Sequence, residues 1–338
     1  PHGCGHLGAD KKHMIRAMAG FCSNPNVAAV LLVGLGCELL TPEVIGEDLA
    51  KVNQRFEILS IQTAGGTTNA IEKGRIIAEK LVREIAVYQR EPIDISELIV
   101  GTKCGGSDTF SGLTANPSLG EASDLLIGQG GSVLLSEVPE MLGAEQVLAR
   151  RAASEKVRKR IWQITADMES QILKMGVDVR GTEPSPGNIA GGLTTLEEKS
   201  LGAILKGGTT TITQVVEYAE KPTDKGLILM DGPALDAVCL TGLSAAGAQI
   251  IVFTTGRGTP LGSAIAPVIK VSTNSDVYHR MKDIMDVNAG KIVDGTDSIQ
   301  SMGEEILQET VDVASGKLTR SEILGHNEFA IHSIGPAV

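Results

Sequence analysis

Seven short, continuous runs rich in Val, Ile and Leu constrain the fold of this chain more than any other feature. They lie at 27–33, 56–61, 98–101, 132–135, 227–230, 250–253 and 268–271. They show little alternation of polar and apolar positions, which is the pattern of strands buried on both faces of a parallel sheet. Helical periodicity is expected between most of them, at 11–21, 68–88, 142–174 and 213–219, and more weakly at 277–286 and 300–314. In 68–88, Ile71, Ile76, Ala78, Leu81 and Ile85 mark an apolar face, and Glu72, Lys73, Arg75, Glu79 and Lys80 supply the polar one. The alternation predicts an α/β fold with right-handed crossovers and a mostly parallel sheet of about seven strands flanked by helices.

The chain has 338 residues, 42% of them hydrophobic, enough for a full core in one large domain or two. No clean boundary stands out, so residues 1–338 are read as a single α/β catalytic domain, with a subdivision near 140–226 as the alternative. A net charge of -11 argues against a nucleic acid or an anionic membrane as partner, because either needs a basic face. No apolar stretch reaches the ~18 to 20 residues of a membrane span. Five cysteines, three of them inside Gly-rich motifs, fit reduced thiols in a cytoplasm better than a disulfide framework. The first residue is Pro1, inside what reads as a functional motif, so an upstream part is expected.

Four motifs rich in Cys, Gly and acid groups carry the chemistry: His2-Gly3-Cys4-Gly5-His6, Gly34-Leu35-Gly36-Cys37-Glu38, Lys103-Cys104-Gly105-Gly106-Ser107-Asp108 and Ser136-Glu137-Val138-Pro139-Glu140. The last three follow apolar runs. In an open parallel sheet, residues just past the carboxyl ends of strands meet in one crevice, so ligands distant in sequence converge there. Free cysteines taken singly are most often small core residues. Cys4, Cys37 and Cys104 all stand beside Gly, however, and thiolate with carboxylate and imidazole suits a first-row divalent ion. Glu137 and Glu140 either place acid groups at a helix start, a structural use, or divide the work of metal ligand and base.

Three Gly-Thr segments offer anion sites: 63–68, 207–211 and 254–260. Only the third, with Thr255 and Arg257 after an apolar run, stands out from an ordinary turn, since Arg257 can grip a carboxylate in bidentate fashion. No phosphate-loop or dinucleotide fingerprint occurs, which argues against a nucleotide. The Gly- and Pro-rich stretch 184–195 reads as an active-site loop carrying Asn188, with Lys199 just beyond it as a solvated residue or an active-site cation. His2 and His6 are candidate ligands or acid/base groups, whereas His13, His279, His326 and His332 read as ordinary surface or core histidines.

Taken together, Gly34-Leu35-Gly36-Cys37-Glu38, Cys104-Gly105-Gly106-Ser107-Asp108 with Thr114-Ala115-Asn116-Pro117, Glu137-Val138-Pro139-Glu140, the stretch 184–202 and Thr255-Gly256-Arg257-Gly258-Thr259-Pro260 resemble the altronate/galactarate dehydratase family. The resemblance covers nearly the whole chain in order. It implies a hydro-lyase that dehydrates a sugar acid with ferrous iron, manganese or another divalent ion, on a Rossmann-like sheet. It also implies a small N-terminal β-rich domain or subunit, expected to lie outside this chain. The family's opening motif resembles H-x-x-G-C, and Gly3-Cys4 match its end. The large subunit of sulfolactate sulfo-lyase is related, and the tail around Leu318-Thr319, Leu324-Gly325-His326 and Glu328-Phe329 resembles it, while Gly36-Cys37-Glu38 leans toward the dehydratases.

The expected site therefore has Cys104 and Glu137 as metal ligands, with Cys4 and Cys37 behind them. Ser107, Asp108, Asn188, Thr255 and Arg257 bind the sugar acid, and His6, Lys199 or Glu140 move protons. A homo-oligomer is also expected. A sugar-acid-binding subunit without activity is the alternative of a different class.

Overall fold

The computed structural model describes residues 3–335, so His2 lies outside the described residues. Among the described residues nine strands form two sheets, and every strand pairing is parallel. β1 (Val30–Gly34) and β2 (Phe56–Ser60) make a small sheet of their own. The main sheet has seven strands: β3 (Ile99–Gly105), β4 (Ser132–Leu135), β5 (Ile212–Val216), β6 (Gly226–Met230), β7 (Ile250–Thr255), β8 (Val268–Ser272) and β9 (Val287–Asn288). Their order is β5-β6-β4-β3-β7-β8-β9.

The expected α/β class and the flanked seven-stranded parallel sheet are thus present, but the membership differs. The runs at 27–33 and 56–61 form the separate pair, and β5 and β9 take their places. Residues 213–219 fold mainly as β5 rather than as a helix. Thr211, Ile212, Thr213, Val215 and Val216 are all β-branched, and such side chains favour the pleated surface over the helix.

Continuous burial of the main strands follows from coverage on both faces. Val133 and Leu135 join one apolar cluster with the helices Ala115–Gly128 and Ile299–Ala314. Leu134, between them, points into a second cluster with the helices Gly8–Cys22 and Asp236–Ala245. The helix Gly8–Cys22 also anchors the first 86 residues to the main sheet. Arg16 Nε donates to Tyr218 O at 2.8 Å, and Asn24 Nδ2 donates to Ser244 O and Ala248 O at 2.8 and 2.9 Å.

The topology fixes where a site can form. The chain runs from β3 to β4 on one side and later returns to the other side of β3 as β7, so the strand order reverses at β3/β7. Loops leaving such a switch point part to either face and open a crevice at the strands' carboxyl ends.

Candidate active site

The register of β3 with its neighbours dictates what meets in that crevice. Thr102 pairs with Leu135, so Glu137, two residues on, comes beside Cys104. Gly105 pairs with Thr255, which brings Arg257 to the same edge from the other side. Glu137 adopts φ 74°, the left-handed region that a non-glycine residue seldom occupies. That turn ends β4 and starts the short helix Val138–Met141, which carries Glu140. Gly106 also has positive φ (60°), and a Cβ there would press on the Arg257 side chain at 3.3 Å.

Cys104, Glu137 and Glu140 are buried, and a sulfur and two carboxylate oxygens from them lie within 4.8 Å of one another. Among the described residues this is the one group of three or more thiol, imidazole or carboxylate side chains so gathered. A thiol with two carboxylates fits a first-row divalent ion better than magnesium, so the residues present suit the metal that the sequence resemblance implies. The Cys104 thiol donates to Glu140 Oε2 at 2.8 Å, and its backbone N–H donates to Glu137 Oε2 at 3.1 Å.

Three lysines surround these acids, of which only Lys199 is expected from the sequence. Lys103 is fully buried, donates to Glu137 and Cys104 O, and pairs with Asp236 at 2.8 Å. Lys206, equally buried, lies 3.1 Å from Glu137 Oε2 and 2.7 Å from Cys104 Sγ. Lys199 pairs with Glu183 at 2.8 Å and with Glu140 at 3.7 Å. Buried charges persist only when paired, and this cluster pairs each ammonium with carboxylates. Burial works against the Lys103 charge, but Glu137 and the neighbouring acids outweigh it and hold the ammonium well above its ordinary pKa. Burial and the two glutamates push the Cys104 thiol up. Burial also raises the Glu140 carboxyl, yet Lys206, Lys103 and Lys199 together hold it below its ordinary value.

A cavity of about 250 Å³ opens on this cluster, lined by Lys103, Cys104, Ser107, Glu140, Asn188, Lys199, Asp236 and Arg257 among others. Arg257 stands at the exposed rim and donates to Gly187 O at 2.9 Å. Among the described residues no carboxylate lies within 4 Å of its guanidinium, so its charge is available to an anion. A larger hollow of about 410 Å³ adjoins it through Ser107 and Lys199.

Of the remaining expected site residues, Asn188 lines this cavity, and each has contacts of its own. The Asp108 carboxylate accepts from Ser111, Thr273 and Asn274, which caps the short helix Thr109–Gly112 and ties it to the end of β8. Thr255 Oγ1 accepts from Gly258 N at 3.0 Å and shapes the turn that carries Arg257. Asn188 Nδ2 donates to Ser107 O at 2.9 Å, which binds the 184–195 loop to the strand-end motif. Cys4 and Cys37 are exposed and stand outside the Cys104 group. Their loops do meet, with Leu40 N donating to Gly3 O at 2.9 Å, and Glu38 turns back to accept from Gly36 N and Cys37 N. His6 pairs with Asp10 one helical turn on.

Comparison with known proteins gives concordant matches. Residues 95–337 match the family described as D-galactarate/Altronate dehydratase, C-terminal, and residues 1–86 match D-galactarate dehydratase/Altronate hydrolase, second domain. The chain is 41% identical over 99% of its length to an altronate dehydratase of Bacillus subtilis (strain 168), covering 66% of that protein. It is 41% identical over 95% of its length to the galactarate dehydratase (L-threo-forming) of Escherichia coli (strain K12), covering 63% of it. It is 37% identical over 98% of its length to a (2R)-sulfolactate sulfo-lyase subunit beta of Chromohalobacter salexigens, covering 85%. The chain thus spans about two thirds of the length of the two dehydratases.

Proposed function

Since this chain belongs to the D-galactarate/altronate dehydratase family, we propose that its cavity at the β3/β7 switch point removes water from a sugar acid. The product is a 2-keto-3-deoxy acid. The observation that carries this reading is the convergence of Cys104, Glu137 and Glu140 beneath a polar cavity whose rim presents Arg257.

Dehydrating a 2,3-dihydroxy acid requires loss of a weakly acidic proton beside a carboxylate and departure of hydroxide. Cys104 and Glu137, with Glu140 beside them, would hold a divalent ion, ferrous iron in our reading, which would supply Lewis-acid stabilisation of the charge that develops. Arg257 holds the carboxylate end of the substrate at the rim, and the Ser107 hydroxyl orients a substrate hydroxyl. Glu140 lines the cavity and is kept ionised by its lysines, so it accepts the proton from carbon. Burial disfavours the Lys199 charge, but Glu140 and the bond to Glu183 outweigh it and raise its pKa, so the ammonium stays protonated, and its place in the cavity wall suits it to give a proton to the departing hydroxide. This reassigns the proton transfer from His6, which pairs with Asp10, to groups that line the cavity.

A second reading, elimination of sulfite from a sulfonated hydroxy acid, is favoured by the high coverage of the sulfo-lyase subunit. The partner in either case is a small N-terminal-type domain or subunit, and a cytoplasmic site fits a soluble metabolic enzyme. No described helix is long and apolar enough to cross a membrane. Turnover by the full-length protein on a panel of aldonates, aldarates and sulfolactate tests the proposal. Keto-acid formation that ceases on chelation and returns with ferrous ion is expected. Turnover unaffected by exhaustive metal removal contradicts the Lewis-acid role, and sulfite release in place of dehydration selects the second reading.

A further inference from the structure

Cys104 and Lys206 stand in a relation that the dehydration chemistry does not require. The Lys206 Nζ lies 2.7 Å from the Cys104 Sγ, closer than an ordinary N–H···S hydrogen bond and close to the span of one oxygen atom bonded to both. The approach is imposed by rigid elements. Cys104 belongs to β3 at the centre of the main sheet. Lys206 sits in the short helix Leu205–Gly207, wedged against Gly120, where a Cβ would meet Leu205 O at 2.2 Å, and its carbonyl accepts from Ser123 Oγ at 2.8 Å. Both side chains are 1% exposed, so neither can swing out to water. The thiol hydrogen is directed to Glu140 at 2.8 Å, which leaves a sulfur lone pair facing Nζ. Cys104 also lines the 250 Å³ cavity, an entry route for a small oxidant.

We propose that Cys104 and Lys206 form a covalent nitrogen–oxygen–sulfur bridge when dioxygen reaches the cavity, and that this modification disarms the metal site. In the reaction the thiol and the ammonium combine with one molecule of dioxygen to give the S–O–N(H) link, one water and one released proton. The S–H bond and one N–H bond of the neutral amine are replaced by S–O and O–N bonds. Sulfur and nitrogen each give up two electrons, and dioxygen takes all four, one oxygen atom entering the bridge and the other leaving as water. The bridge consumes the sulfur that would ligate the metal, so bridged chain holds no metal through Cys104.

The test is mass spectrometry of the full-length protein, purified without oxygen and then compared before and after exposure to air, with peptide mapping. It reads covalent structure and is independent of the dehydratase reading, so the two fail separately. The expected result is a gain of about 14 Da, one oxygen gained and two hydrogens lost, on a cross-linked pair of peptides containing Cys104 and Lys206. The gain is expected to reverse with dithiothreitol, to be absent in Lys206→Arg, and to parallel loss of bound metal. An unchanged mass, oxidation of the Cys104 peptide alone to sulfenic or higher acids, or a cross-link to Lys103 would each overturn the proposal. The wild-type map decides the matter even if Lys206→Arg does not fold.

Discussion

Cys104 and Lys206 show how differently two residues of one site register in a sequence. Cys104, Glu137 and Glu140 were legible because each follows an apolar run, and the ends of parallel strands converge by topology alone. Lys103 and Lys206 were not singled out, although both sit among apolar or Gly residues where a solvated lysine has no place. That misfit is the signal that could have found them, since a buried lysine demands buried acids. Asp108, Asn188 and Thr255 stand out in the sequence as candidate substrate contacts because their motifs are polar and Gly-rich, whereas the hydrogen bonds by which they also hold loops follow only from the tertiary structure. For Arg257→Ala we expect a loss of about 1–2 kcal/mol in kcat/KM, seen mainly as raised KM, because its guanidinium is exposed and solvent screens it. An unchanged KM would remove it from substrate binding. For Cys104→Ser, metal content measured by mass spectrometry should fall by at least about tenfold with circular dichroism intact. Full metal retention would exclude the thiol as a ligand.

At the level of elements, the class was readable and the membership of the sheet was not. Continuous apolar runs report burial on both faces but not which strands share a sheet, so β1 and β2 were indistinguishable from the strands of the main one. β9, only two residues long, offers no run to read. The helix Ala115–Gly128 buries small and polar residues such as Asn116, Ser118 and Ser123 beside its apolar ones, which hides its periodicity, yet it positions the site by pressing on the turn that carries Lys206. Gly120 permits that approach. Gly120→Ala should destabilise the protein by about 2–3 kcal/mol in urea unfolding, because the added carbon meets backbone rather than a flexible side chain. Activity should fall with it through displacement of Lys206, and wild-type stability would show that the turn yields freely.

Across the whole molecule, the first 86 residues are joined to the main sheet through His13, whose ring stacks on Tyr218 at 4.7 Å. Burial pushes the His13 pKa down to about 4, with His332 and Arg16 adding to the effect against Asp10. Its unfolded value is near 6.5, so between these limits the unfolded chain binds a proton that the folded one declines, and stability falls as pH drops. Allowing for partial screening by solvent, that loss is roughly 1–3 kcal/mol between neutral pH and about pH 4.5. His13→Phe should flatten the dependence in urea unfolding, and an equally steep curve would assign it to other groups.

The central claim is that one cation-binding crevice at the β3/β7 edge performs the chemistry. Anomalous scattering at the iron edge from crystals of the full-length protein loaded with ferrous ion tests it most directly. The account predicts a peak within ligating distance of Cys104 and Glu137, beneath the rim formed by Arg257. A peak at Cys4 and Cys37 with none at Cys104 would contradict it.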